Sequence, residues 1–252
     1  MNPPPIALQL YTVSDETARD FTGTLRQVAQ FGYPAVEFAG YGGLSAEDMR
    51  ALLDELGLRA PASHSLRLDM DEAALAQQLA YAQTIGCEYM VLPWIGPERF
   101  NEAQLPTLAK QLTSIGQRCR EAGLQFAYHT HDYSFRRRGD TYLLHDLLDS
   151  VEPALLAVEL DLYWMVFAGS DPLPFLHQHG DRVPLLHLKD MDASRDMTEV
   201  GNGTLDFAAL ISAGQARGTR WFIVEHDHPT IPSLESAQRS LNYLKTRITW
   251  PE

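Results

Sequence analysis

Short runs of aliphatic, β-branched and aromatic residues alternate with amphipathic stretches along the whole chain. Eight runs read as strands: "IALQLYT", "PAVEFA", "LRAPASH", "EYMVLPW", "LQFAYHT", "LLAVELD", "VPLLHLK" and "RWFIVEH". Between them, segments such as "SAEDMRALLDEL", "MDEAALAQQLAYAQTI" and "LPTLAKQLTSIGQRCREA" repeat apolar residues three and four apart. That spacing gives each helix one face for packing. In "LSAEDM", Ser45 is set to cap a helix whose first turn is acidic.

One junction recurs. "QFGYPAVEF", "ELGLRAPAS", "TIGCEYMVL", "EAGLQFAYH" and "ARGTRWFIV" each put a glycine between helix and strand, where the left-handed residue that ends a helix belongs. These joints define a βα repeat with no linker or low-complexity block inside it. Eight such units in 252 residues predict an α/β fold, a (β/α)8 TIM barrel forming one domain over residues 1–252. An open doubly wound sheet would carry a glycine-rich turn after its first strand, and "LQLYTVSDET" has none.

In a barrel, alternate residues of each strand point inward and the chemistry gathers at the C-terminal strand ends. The last four strands end alike, in His129 and His131, Glu159 and Asp161, His187 and Lys189, and Glu225 and Asp227. Each pair is spaced i, i+2, so both members share a face. Imidazoles and carboxylates then meet at one mouth, where a divalent cation relieves repulsion between the carboxylates. Mixed nitrogen and oxygen ligation suits Mn, Zn or Co, with Mg as a further option, and disfavours Ca.

Charge narrows the partners. With 33 acidic and 20 basic residues the net charge is -13, which repels a polyanion and argues against nucleic acid. The two cysteines, Cys87 and Cys119, lie in apolar surroundings and read as reduced, buried thiols. The N-terminal "MNPPPIALQLYTV" has no basic region before a long apolar run, and no later segment is apolar enough for a bilayer. A cytoplasmic location without a membrane partner is expected. Association into a homo-oligomer is open.

The motifs "YHTHDYSF", "VELDLYW", "LLHLKDM", "EVGNGTLDF" and "IVEHD", in that order, resemble the xylose isomerase-like TIM-barrel sugar isomerases and epimerases, a group that includes inosose dehydratase-like enzymes. The resemblance runs from "LQLYTV" to "VEHD" and implies one divalent metal held by a residue from each of strands five to eight. By position these are His129, Asp161, His187 and Glu225, with His129 standing where the epimerases carry Glu. The implied activity is metal-dependent isomerisation or epimerisation of a sugar or keto-sugar, by removal of a proton next to a carbonyl through an enediolate. The alternative is a lyase or dehydratase acting on a keto-sugar or inosose, toward which His129 shifts the balance. A third reading, an abasic-site phosphodiesterase, needs more metal ligands than the strands supply.

Within that frame Glu225 is the expected base. Lys189 either binds the developing enediolate, protonates a leaving oxygen, or forms a salt bridge with Asp190 or Glu159. His131 is read as a substrate-side residue, a proton shuttle or a fifth ligand. Glu37 and His64, at the ends of strands two and three, are expected substrate contacts, and Trp94 and Trp164 an apolar wall against a sugar ring. Glu159 is expected beneath the substrate, orienting His129 or pairing with Lys189. The "RRR" run Arg136–Arg138 is read as a solvated loop in preference to a holder of a substrate phosphate, and Gly203 in the "GNG" loop as either a close backbone approach or a plain turn.

Overall fold

Small and large apolar residues alternate around the strands' inner face, and most strands turn polar at their C-terminal ends. In the computed structural model, which describes residues 5–139 and 141–250, the strands are β1 (Ile6–Gln9), β2 (Ala35–Glu37), β3 (Ala62–Ser63), β4 (Tyr89–Leu92), β5 (Gln125–His129), β6 (Ala157–Asp161), β7 (Leu185–Leu188) and β8 (Trp221–Val224). All pair in parallel, in the order β2-β1-β8-β7-β6-β5-β4-β3. Parallel bridges Ala35–Arg59 and Phe38–Ser63 join the two remaining edges and close the barrel.

Among the described residues eight main helices surround it, each following its strand: α1 (Phe21–Phe31), α2 (Ala46–Leu56), α3 (Glu72–Ile85), α4 (Leu105–Glu121), α5 (Leu143–Ser150), α6 (Pro172–His179), α7 (Phe207–Ala216) and α8 (Ser233–Arg247), with short helices at Ser14–Thr17 and Leu162–Phe167. Ser45 caps α2 by accepting the Asp48 N–H at 3.1 Å. The five junction glycines take φ between 65° and 94°, the left-handed conformation that reverses the chain from helix to strand. Strand β3 is shorter than its sequence run because Pro61 has no N–H for the ladder; its carbonyl accepts from Glu88 and Tyr89 instead.

The barrel interior is layered. Ala7, Ala35, Ala62, Ala127 and Ala157 make room for Tyr89, Leu185 and Trp221, and this apolar layer fills the N-terminal half. Two residues further along each strand, on the same inward face, come Gln9, Glu37, His129, Glu159 and His187, all buried. Another step brings Asp161, Lys189 and Glu225 to the C-terminal rim. The period-two alternation thus carries a dry plug into a polar floor and then into an open mouth.

Outside this axis, Cys87 and Cys119 are free and buried, and burial raises both thiol pKa values, that of Cys119 to about 12. The arginine run forms part of a short hairpin, Arg137–Arg138 against Thr141–Tyr142, with Arg138 paired to Asp146. Among the described residues, no helix is long and apolar enough to cross a membrane. The first four residues of the N-terminal stretch and the last two of the chain lie outside the described residues.

Candidate metal centre and cavity

At the C-terminal mouth the strands converge on two overlapping groups of ligand atoms. One atom each from His129, Asp161, His187 and Glu225 lie within 4.8 Å of one another, and so do atoms of His64, His129, Glu159 and His187 one level deeper. The upper group takes one residue from each of β5, β6 and β7 and from the end of β8, and it borders a cavity of about 540 Å3.

Hydrogen bonds orient this upper group from below. His129 Nδ1 lies 2.9 Å from Glu159 Oε2, while its Nε2 faces Asp161 Oδ2 at 3.8 Å. His187 Nε2 lies 2.8 Å from Glu37 Oε2, and its Nδ1 is 2.9 Å from Glu225 Oε2. Each imidazole therefore has one nitrogen on a buried carboxylate and the other among the rim carboxylates, the arrangement that fixes tautomer and ring plane in histidine metal sites. Asp161 is divided likewise. Its Oδ1 accepts the Trp164 N–H at 2.9 Å and caps the short helix Leu162–Phe167, which leaves Oδ2 buried without a hydrogen-bond partner. That oxygen, without a hydrogen bond and with only the Lys189 ammonium at 3.2 Å and His129 beside it, fits a divalent ion together with two imidazoles and a second carboxylate.

Lys189 supplies the fixed positive charge. Its Nζ is 2.9 Å from Glu225 Oε2, 2.9 Å from Asp227 Oδ1 and 3.2 Å from Asp161 Oδ2. Burial opposes its charge, but Asp161, Glu225 and Asp227 outweigh burial and keep the ammonium protonated. Its partners are thus not Asp190 or Glu159. Burial likewise opposes ionisation of Glu225, yet Lys189 and His187 hold its carboxyl well below the ordinary value. Burial pushes Asp161 up to about 6 and His129 down to about 4. His131 is also driven down, by burial and by His129 and Lys189, so it is neutral.

The remaining expected residues divide by level. His64, Trp94, His131 and Trp164 border the cavity together with Lys189, Glu225 and Asp227. His131 belongs to neither group of converging ligand atoms; its ring stacks on Tyr133 and meets Trp94 edge-on. Glu37, expected to contact substrate, and Glu159, expected beneath it, are both fully buried and do not border the cavity. Their strand positions lie below the rim, and there they hold imidazoles. Glu159 Oε2 takes His64 Nε2 at 2.6 Å as well as His129, and the three histidines keep its carboxyl well below the ordinary value although burial opposes this. Glu37 is pushed up to about 7 by burial and by Glu159.

Gln9, Tyr11 and Asp190 were missed. Gln9 donates to Glu37 Oε2 at 2.7 Å and accepts from the Tyr11 N–H, so it links the buried floor to a rim aromatic. Its signal was present, a polar residue on the inward parity of an otherwise apolar strand. Asp190 is fully buried and accepts from Met191, Gly201, Gly203 and Leu205 backbone N–H groups at 2.8–3.3 Å. A Cβ on Gly203 would run into Asp190 Oδ1 and the Met191 carbonyl, so this glycine makes a close approach, to Asp190.

Comparison with known proteins agrees with this architecture. An inosose dehydratase of Geobacillus kaustophilus (strain HTA426) is 24% identical over 213 residues, covering 75% of this chain and 68% of that one. One of Lacticaseibacillus casei is 26% identical over 174 residues, covering 61% and 58%. The matches thus span between about half and two thirds of these relatives' lengths. A sugar phosphate isomerase/epimerase structure from Parabacteroides distasonis ATCC 8503 superposes with a TM-score of 0.79 at 23% identity, covering 98% of this chain and 95% of that one. The structure of an IolI protein with a bound zinc atom superposes with a TM-score of 0.72 at 15% identity, covering 94% and 95%. The family model described as xylose isomerase-like TIM barrel matches residues 25–247, from the first helix to the last, and the chain belongs to that family.

Proposed function

We propose that this chain is a metal-dependent dehydratase of a keto-sugar or inosose, which removes the proton next to the carbonyl and then expels the neighbouring hydroxyl as water. The observation that carries this reading is an asymmetry. Glu225 is a rim carboxylate that borders the cavity, whereas the strand-five position opposite is His129, whose Nδ1 is tied to Glu159. Epimerisation calls for a base on each face of the substrate carbon, and here one face has an imidazole already committed to a buried partner.

His129, Asp161, His187 and Glu225 would hold the ion, which supplies Lewis-acid polarisation of the substrate carbonyl. Glu225, ionised, takes the proton from the carbon beside that carbonyl. The Lys189 ammonium, anchored by three carboxylates, stabilises the negative charge that develops on the substrate. The carbon–oxygen bond to the neighbouring hydroxyl then breaks. Neutral His131 has no proton to spare at neutral pH and Lys189 holds its own tightly, so Glu225 returns the proton it took and the hydroxyl leaves as water. Water is thus lost from one face.

Isomerisation is the second reading, favoured by the same placement of Glu225, because one base can carry a proton between adjacent carbons on a single face. Incubating the Mn-, Co- or Zn-loaded protein in deuterated water with ketoses, keto-glucosides and inososes separates the two. A dehydratase product has lost water by mass spectrometry; an isomerase product keeps its mass except for deuterium at the exchanging carbon. No exchange with any substrate, while a His187→Ala variant retains its metal, would sink both readings.

A further inference from the structure

Among the described residues three large hydrophobic side chains are exposed, Tyr11 at 47%, Trp94 at 55% and Phe167 at 37%. Two of the three, Tyr11 and Trp94, border the cavity above the histidine and carboxylate floor. The indole of Trp94 is held by its neighbours, and the backbone that carries Tyr11 is anchored. The Tyr11 N–H is bonded to Gln9 Oε1 at 2.9 Å, and Gln9 is fixed in turn on buried Glu37. Trp94 meets His131 and Tyr133 edge-on, and the Tyr133 hydroxyl accepts the N–H groups of Ile95 and Gly96, which secures the backbone beside the indole. Aromatic surface that is positioned and still wet is surface kept for a ligand.

The charges say what that ligand lacks. Lys189 is the one lysine or arginine bordering the cavity among the described residues, and its ammonium is shared by Asp161, Glu225 and Asp227. The nearby arginines are engaged elsewhere, Arg136 with the Pro97 carbonyl and Arg138 with Asp146. Among the described residues no arginine borders the cavity to grip a phosphate. The cavity, at about 540 Å3, lies within the range of roughly 300–1,000 Å3 that encloses drug-sized ligands, and has room beyond a single sugar ring.

Building on the keto-sugar reading above, we propose that the substrate is an unphosphorylated keto-glycoside bearing a planar aromatic group. The sugar ring sits over His64, His129, Lys189 and Glu225, and the aromatic group lies against Trp94 and Tyr11 at the mouth. Specificity for the attached group then resides in these two side chains and not in the residues that handle the proton.

The test is binding of unreacted probes to the Mn-loaded protein by calorimetry: phenyl against methyl β-D-glucoside, and glucose 6-phosphate against glucose. Phenyl glucoside is expected to bind at least tenfold more tightly than methyl glucoside, and glucose 6-phosphate no more tightly than glucose. Trp94→Ala should abolish the phenyl advantage with metal content unchanged, and Trp94→Phe should retain most of it. Equal affinity for the two glucosides, a gain from phosphate, or a phenyl advantage that survives in Trp94→Ala and Tyr11→Ala would overturn this assignment while leaving the keto-sugar reading standing. Binding of none of the four sugars would overturn the glycoside assignment, and the exchange experiment with keto-sugars and inososes would then decide the reading it rests on. A dimer by sedimentation that shields Trp94 from fluorescence quenching would give the aromatic surface to a second copy and also overturn it.

Discussion

Replacing Glu159 by Gln tests whether the buried carboxylates set the metal centre. Glu159 Oε2 receives His64 Nε2 at 2.6 Å and His129 Nδ1 at 2.9 Å. A hydrogen bond to a charged group contributes about 1.5–3 kcal/mol, against about 0.5–1.5 kcal/mol for a neutral one, so loss of the charge weakens each bond by roughly 1 kcal/mol. An amide oxygen also serves two donors less well, and the neighbouring NH2 repels a ring N–H. With its Nδ1 partner weakened, His129 loses both its fixed tautomer and its ring plane. Outer partners of this kind are worth about 10–100-fold in metal affinity, or about 1.4–2.7 kcal/mol. The metal-free fold should suffer less, because removing the Glu159 charge also removes its repulsion of Glu37, which helps drive Glu37 up to about 7. The assay is competition with a fluorescent chelator for Zn or Mn, alongside thermal unfolding of the metal-free protein. An affinity within threefold of the parent, in a folded variant, would refute the placement of His129 among the ligands or its control by Glu159.

Three further outcomes follow from the same geometry. In the metal-free protein burial opposes protonation of His187, but Glu159, Glu37 and Glu225 outweigh it and hold its pKa well above 6.5, so the ring carries two protons at pH 7 and must shed one to become a ligand. Cation binding at pH 7 should therefore release protons and strengthen as pH rises until the His187 pKa is passed; titration calorimetry in buffers of different ionisation enthalpy detects this, and no release would contradict it. Lys189→Met leaves Asp161, Glu225 and Asp227 without their shared cation. The metal-free variant should lose about 3–5 kcal/mol, and divalent ions should recover much of it, both measurable by calorimetric unfolding with and without Mn. Asp190→Ala removes the acceptor for four backbone N–H groups around residues 191–205. A loss of about 3–5 kcal/mol, with amide exchange accelerating first at Gly201 and Gly203, is expected; unchanged protection there would show that the loop does not depend on Asp190.

The fold was legible because it is written in short-range periodicity. Strands of period two, helices of period three to four and glycine at the reversals are each decided within a few residues, and eight repeats of one unit leave few topologies to choose among. The i, i+2 pairs at the ends of β5 to β8 were legible for the same reason, since a strand cannot turn its alternate residues anywhere but to one face.

Which member of each pair does what was decided by tertiary structure. The sequence placed Glu37 with the substrate contacts, but strand register sets it below the rim beside Glu159, where it meets an imidazole from a strand remote in sequence: Glu37 and His187 are 150 residues apart. It offered Lys189 the partners Asp190 or Glu159, whereas the barrel delivers Asp161, Glu225 and Asp227. Depth along the barrel axis depends on the stagger between strands, and stagger is a property of the closed sheet that no single segment encodes. The sequence by itself determined which residues face inward; closure of the barrel decided how deep each lies, and with that which ones hold imidazoles, which border the cavity, and which are left for a cation.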